Sequence, residues 1–245
     1  MAVNLAIAMA AKEPDRVLLV DLAPVTGTVV DHLNAHPKLA ITDLARDPLG
    51  VNDPEAAKMY LDRHGRLQIL AGSPSARVAA LVARDNVGQM LETLLLAVPN
   101  VVVDAGSHLD DRAIAILELA DNVVVVVTPE FPALKTVHQM LEYVHETGAA
   151  IAEPTIVVNE MFAREMLTQA DIEGALSRRV TVRIPHDPRI FLRAANEGSP
   201  VMDSAGSSPQ AQRFVELAAV LLGEDAPSMA ADRRPRRLGG LFSRS

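Results

Sequence analysis

Asn100-Val101-Val102-Val103-Asp104-Ala105-Gly106-Ser107 decides how the rest of the chain is read. Three β-branched residues in a row, too short for a helix and flanked by polar groups, predict a strand buried on both faces, as in parallel sheets. Asp104 then stands at the carboxyl end of that strand. In an open α/β sheet ligands bind at this edge, where an acid reaches a metal ion or a metal-bound water. A cap on the following helix is the other role open to Asp104, and these residues alone do not separate the two.

Working outward, residues 16–21 form a second apolar run that ends in an acid, Asp21, and residues 67–70, 122–128, 155–159 and 180–184 are further runs of strand length. Between them lie helical patterns. Residues 2–12 carry Val3, Ile7 and Ala10 on one face, and residues 132–148 carry Leu134, Val137, Leu141 and Val144. Further helices are predicted over 86–98, 110–119, 168–176, 189–197 (closed by Gly198) and 208–222, with a short one over 55–62 between Pro- and Gly-containing loops. The helix at Ala2 has no Ser, Thr or Asp ahead of it to act as a cap. Strand followed by helix almost throughout implies right-handed crossovers and a doubly wound, mostly parallel sheet with helices on both faces.

Composition narrows the class. The 245 residues are 49% hydrophobic but only 3% aromatic, which suits one substantial core built from Ala, Val and Leu. The absence of Cys excludes disulfides and thiolate metal sites, and no apolar run reaches the roughly 20 residues of a membrane-spanning helix. A cytoplasmic protein is expected, and the net charge of -8 argues against broad nucleic-acid binding. The seven His residues never form His-x-x-x-His on a helix beside an acid, as a zinc site of that kind requires. His108 and His186 could approach one edge of the sheet, although solvated loop His is the plainer reading of both. No Gly-x-Ser-x-Gly elbow accompanies Ser107.

Several stretches recur in one order: Val3-Asn4-Leu5-Ala6, the strand to Asp21, the strand to Asp104, Ala120-Asp121-Asn122 leading to Val127-Thr128-Pro129-Glu130, Val158-Asn159, Ile184-Pro185-His186-Asp187-Pro188-Arg189, and Ala194-Ala195-Asn196-Glu197-Gly198-Ser199-Pro200. In these the chain, over about residues 2–222, resembles the MinD/ParA group of P-loop ATPases. Leu70-Ala71-Gly72-Ser73-Pro74 and Glu118-Leu119-Ala120-Asp121 look more specifically like its CpaE/TadZ branch, implicated in pilus assembly and polar placement. The resemblance implies a P-loop NTPase fold, ATP with Mg²⁺ as ligands, a homodimer, and pilus-assembly or polar proteins as partners, with no nucleic acid favoured. Asp104 matches the acid beyond the Mg²⁺, and Asp21 joins it as a catalytic candidate at the carboxyl edge. Asn159 matches the residue that contacts adenine, for which an amide offers both a donor and an acceptor. Read without the family, Asn159 is simply an Asn that ends a strand and opens a turn. Pro185 and Asp187 match the loop that closes over the base.

Two departures bear on catalysis. The family's phosphate loop, Gly-rich with a Lys followed by Ser or Thr, comes just before the helix that here begins at Met1. The expectation is therefore an N-terminally truncated domain, a fragment or a start assigned one strand too late, without the backbone N–H nest and the Lys that hold phosphates. The family's Asp-x-Asp is here Asp21-Leu22-Ala23, which removes the acid expected to position the attacking water. Three functions follow as expectations: a CpaE/TadZ-like nucleotide-binding protein inactive as an ATPase, an ATPase whose front end is missing, or a MinD/ParA-like protein that positions the division site or chromosome.

Domain 1–223 is thus expected to be ATPase-like and 224–245 a basic, disordered tail. Arg233, Arg234, Arg236 and Arg237, with Leu241 and Phe242, are candidates for contact with the inner face of a membrane, although Gly239-Gly240 works against a regular helix there.

Overall fold

The computed structural model describes residues 1–23, 27–75, 82, 84–146 and 152–224. Strand β1 (Val17–Asp21) is buried along its whole length because it has a parallel neighbour on each side, β3 (Leu67–Leu70) and β4 (Asn100–Asp104). A short strand, β2 (Asp62–His64), adds antiparallel to β3, giving the order β2-β3-β1-β4. A second sheet contains β5 (Val124–Val127), β6 (Thr155–Asn159) and β7 (Val180–Ile184), all parallel and in that order.

Helices cover both faces. They are α1 (Ala2–Lys12), α2 (Val29–His32), α3 (Ile41–Leu44), α4 (Pro48–Asn52), α5 (Pro54–Ala57), α6 (Arg84–Ala97), α7 (Asp111–Leu119), α8 (Phe131–Glu146), α9 (Gln169–Leu176), α10 (Pro188–Glu197), α11 (Val201–Ser204) and α12 (Pro209–Leu221). Alternation along each strand sends side chains to opposite layers. Val17 and Leu19 join α1 and α12, where Met9, Phe214 and Leu217 are buried, whereas Leu18 and Val20 join Met90 and Leu94 of α6. The α1/α12 layer also takes Val157, Val182 and Ile184, so it holds the two sheets together from one side. Leu134 of α8 and Ile172 of α9 close the far side of the three-stranded sheet.

The alternating α/β design and most elements are as expected, and four features are not. Helix α4 forms at Pro48–Asn52, where a loop was expected, because Asp47 caps it and Pro48 takes its first position. Residues of β4 are half-buried rather than buried, because its outer edge has no strand partner and faces a slot of ≈ 560 Å³ that separates it from β5. The helix expected over 55–62 ends early. Lys58–Tyr60 is a 3₁₀ turn, Leu61 is extended, and Asp62 enters β2, because Gly65 at φ +58° turns the chain into a hairpin that pairs His64 with Leu67. The short helix α11 after Pro200 carried no periodic signal. Among the described residues no helix is long and apolar enough to cross a membrane. Residues 225–245, with the expected membrane-contact arginines, Leu241 and Phe242, lie outside the described residues, as do 24–26 and the end of the helix predicted to reach 148.

Candidate functional site

Carboxyl ends of both sheets open into one cleft of ≈ 530 Å³ whose lining includes Asp104, Asn159, His186 and Asp187. Each is set in place by its element. Asp104 closes β4, and its Oδ1 accepts the Gly106 N–H at 3.1 Å, which fits the positive φ of +73° at Gly106. Asn159 closes β6 opposite Ile184, and its Nδ2 lies 3.9 Å from the Met161 sulfur. Asp187 caps α10 ahead of Pro188, accepting the Arg189 and Ile190 N–H groups at 3.1 and 3.2 Å. Of the two histidines expected near this edge, His186 lines the cleft and His108 does not.

Pro185 and Asp21 stand outside the cleft lining. The Pro185 carbonyl accepts Gln210 Nε2 at 3.3 Å, which ties the loop after β7 to α12. Asp21 is paired in register with Asp104 across β1 and β4, yet it is only 1% exposed. Its carboxylate accepts the N–H groups of Ala23 and Val29, both at 3.1 Å. A Cβ on Gly27 would sit 2.5 Å from Asp21 Oδ2, and one on Gly72 2.8 Å from Asp21 Cγ, so both loops need glycine to pass over the acid. Burial pushes the Asp21 carboxyl above its ordinary value, opposed by the Val29 and Ala23 N–H groups and assisted by the charge of Asp104. Burial likewise lowers the Met1 amino group, against the attraction of Asp104.

Sequence reading missed Asn4, His32, Met161 and Phe191, which line the same cleft. Asn4 had a signal, an amide in an otherwise apolar stretch of α1, and its Oδ1 accepts the Met202 N–H at 3.1 Å. His32 had none, since its position depends on where the loop around Asp21 sets α2.

The residues present fit half of a nucleotide. Asn159 offers an amide beside the apolar Met161 and Phe191, a setting suited to a flat heteroaromatic base. Triphosphate and Mg²⁺ fit poorly: among the described lining residues there is no Lys or Arg. Of the other carboxylates in the cleft, Asp187 is engaged as a cap and Glu160 pairs with Arg183, whose Nε donates to it at 2.7 Å, which leaves Asp104. Among the described residues no group of three or more His, Asp or Glu is placed to hold a metal ion.

No protein-family model matches the chain. It is similar to the septum site-determining protein MinD of Thermotoga maritima, 24% identical over 184 residues that cover 72% of this chain and 67% of the relative. It is also similar to an uncharacterised ATP-binding protein of Methanocaldococcus jannaschii, 27% identical over 220 residues, 83% and 80% of the two chains. Among solved structures, a ParA family ATPase from Chlorobium tepidum superposes with a TM-score of 0.81 at 22% identity, over 90% of this chain and 91% of that one. MinD from Pyrococcus horikoshii, complexed with Mg-ADP, does so with a TM-score of 0.75 at 17% identity, over 90% and 88%. The mixed α/β architecture with its parallel strands is therefore that of the MinD/ParA P-loop NTPases.

Proposed function

We propose that the protein is a MinD/ParA-type nucleotide-binding protein of the CpaE/TadZ kind, a dimer that recruits pilus-assembly or polar proteins and does not hydrolyse ATP as the 245-residue chain. The observation that carries the nucleotide reading is the gathering of Asp104, Asn159 and Asp187 in one cleft at the carboxyl edge. Asn159 is the adenine contact and the loop of Pro185 and Asp187 borders the base. Asp104 is the acid facing the phosphate end, and Asp21 holds the neighbouring loops beneath it. Loss of hydrolysis follows from a cleft without Lys or Arg among its described lining, and from Ala23 in place of a second acid.

Binding through the base alone makes a measurable demand. Adenosine and ATP should bind with affinities within about tenfold of each other, because the phosphates gain little, and Asn159→Ala should weaken both by about tenfold. Titration with a fluorescent adenine nucleotide, with adenosine as competitor, reads this. A chain that binds neither ligand, or an Asn159→Ala variant that binds both unchanged, would remove the base site. Steady ATP turnover abolished by Asp104→Ala would replace the inactive reading with that of an ATPase. A role in positioning the division site is the second reading, favoured by the name of the Thermotoga relative. A fluorescent fusion that collects at the septum rather than at one pole would select it.

A further inference from the structure

Gln210 in the first turn of α12 is 4% exposed, and its Oε1 is the one buried side-chain oxygen or nitrogen without a hydrogen-bond partner among the described residues. A buried acceptor left unpaired weakens a fold. The orphan does not depend on which way the amide is turned. A carbonyl only accepts, so the NH₂ end must face Pro185, whose oxygen lies 3.3 Å from Nε2, and Oε1 is left over. Nothing else at this position calls for an amide. Ser208 caps α12, its Oγ accepting the Ala211 N–H at 3.1 Å, and Ala211 and Phe214, next along the helix, are buried among apolar side chains.

The Gln210 bond acts on the loop that follows β7. Pro185 leads into His186 and Asp187, which line the same cleft as Asn159. The Pro185–His186 peptide is trans and planar, so holding the Pro185 carbonyl fixes the whole unit and turns the His186 N–H away from Gln210. That N–H has no acceptor among the described residues. We infer that Gln210 is a positioning residue for base binding: it holds the Pro185–His186 peptide in the one plane that keeps the His186 N–H open to a ring nitrogen of the bound base. The inference rests on the reading of the cleft as a base site. It explains why a buried amide stands at position 210, where an apolar side chain of the same length would fill the space without an unpaired oxygen.

Gln210→Met, of similar length and without the amide, separates this role from a merely structural one. It removes the unpaired oxygen together with one long hydrogen bond, and the half-buried Pro185 carbonyl can turn to water. The thermal midpoint of the 245-residue variant should therefore be no lower than that of the wild type, while its affinity for adenosine falls about tenfold. With each protein saturated by adenosine, amide hydrogen exchange at His186 should slow about tenfold in the wild type and stay fast in the variant. A residue that only packs would lose midpoint and affinity together and leave the exchange pattern unaltered. The inference is overturned if adenosine binds both proteins equally, if adenosine leaves exchange at His186 unchanged in the wild type, or if the midpoint of the variant falls by about 5 °C or more along with its affinity. A wild type that binds no adenosine removes the base site and this inference with it, whereas equal binding by both proteins leaves the base site standing.

Discussion

Strands β1 and β4 lie side by side in unbroken register, from Val17 opposite Asn100 to Asp21 opposite Asp104, and their chemistry is nearly the same. Their surroundings differ. Every residue of β1 is buried and every residue of β4 only half so, because β1 has a strand on each side and β4 faces the slot. The acids at their ends diverge in the same way. Asp21 is sealed under Gly27 and Gly72 with its oxygens held by backbone N–H groups, while Asp104 faces both the slot and the cleft. A β-branched run therefore specifies a strand, but the number of neighbours sets how deeply it is buried.

The largest expected effect is on stability. Leu19→Ala in β1 removes a fully buried side chain packed against the α1/α12 layer, at a cost of about 2–5 kcal/mol. Val102→Ala in β4, opposite Leu19 in the register and on the same layer, should cost about 1 kcal/mol, since its side chain already meets the slot. Urea unfolding of the two variants measures the pair. Equal costs would mean that the slot closes in solution and that β4 is as buried as β1.

What the sequence made legible follows the same division. Runs such as 17–21 and 155–159 announced strands because their period and composition are local properties. The caps Asp110, Thr168, Asp187 and Ser208 sit next to the helices they open, so those starts could be placed within a residue or so. Strand β2 was missed because Asp62-Arg63-His64 has no strand character of its own and pairs only through the Gly65 turn. The half-burial of β4 was missed because burial depends on neighbours that a single run does not encode. At the site, Asp104 and Asn159 were readable as strand ends, and Asp187 only through the family resemblance of its loop, its capping of α10 emerging from the structure. The sealing of Asp21 was not, since it depends on Gly72, distant in sequence, crossing above the carboxylate.

The two acids give a prediction in pH. Burial raises the Asp21 carboxyl above its ordinary value of 3.8, so the folded state holds that proton more tightly than the unfolded chain does. The contribution of this proton is fully present below 3.8 and is lost as pH rises through the folded value. Asp21→Asn lacks a titrating group, so the stability of the wild type relative to the variant should fall as pH rises from 3.8 and then level off. Chemical unfolding of both proteins across the acid range reads the difference curve, in which the other carboxylates cancel. A curve that is flat, or that rises with pH, would mean that the backbone N–H bonds to Asp21 outweigh its burial.

The smallest effect sharpens the comparison within the second sheet. Val126 of β5 and Val157 of β6 are paired in register, but Val126 is 40% exposed and Val157 fully buried. Exchanging Val for Thr replaces a methyl with a hydroxyl of similar size. At Val157 the hydroxyl enters the layer beneath α1 without a solvent partner, at a cost of about 1–3 kcal/mol. At Val126 it can reach water in the slot, and the change should stay within about 0.5 kcal/mol. Thermal unfolding in parallel would show the contrast. A Val126→Thr variant that is strongly destabilised would place this residue in a closed core, and the distinction between the paired and the open strands would then fail at β5.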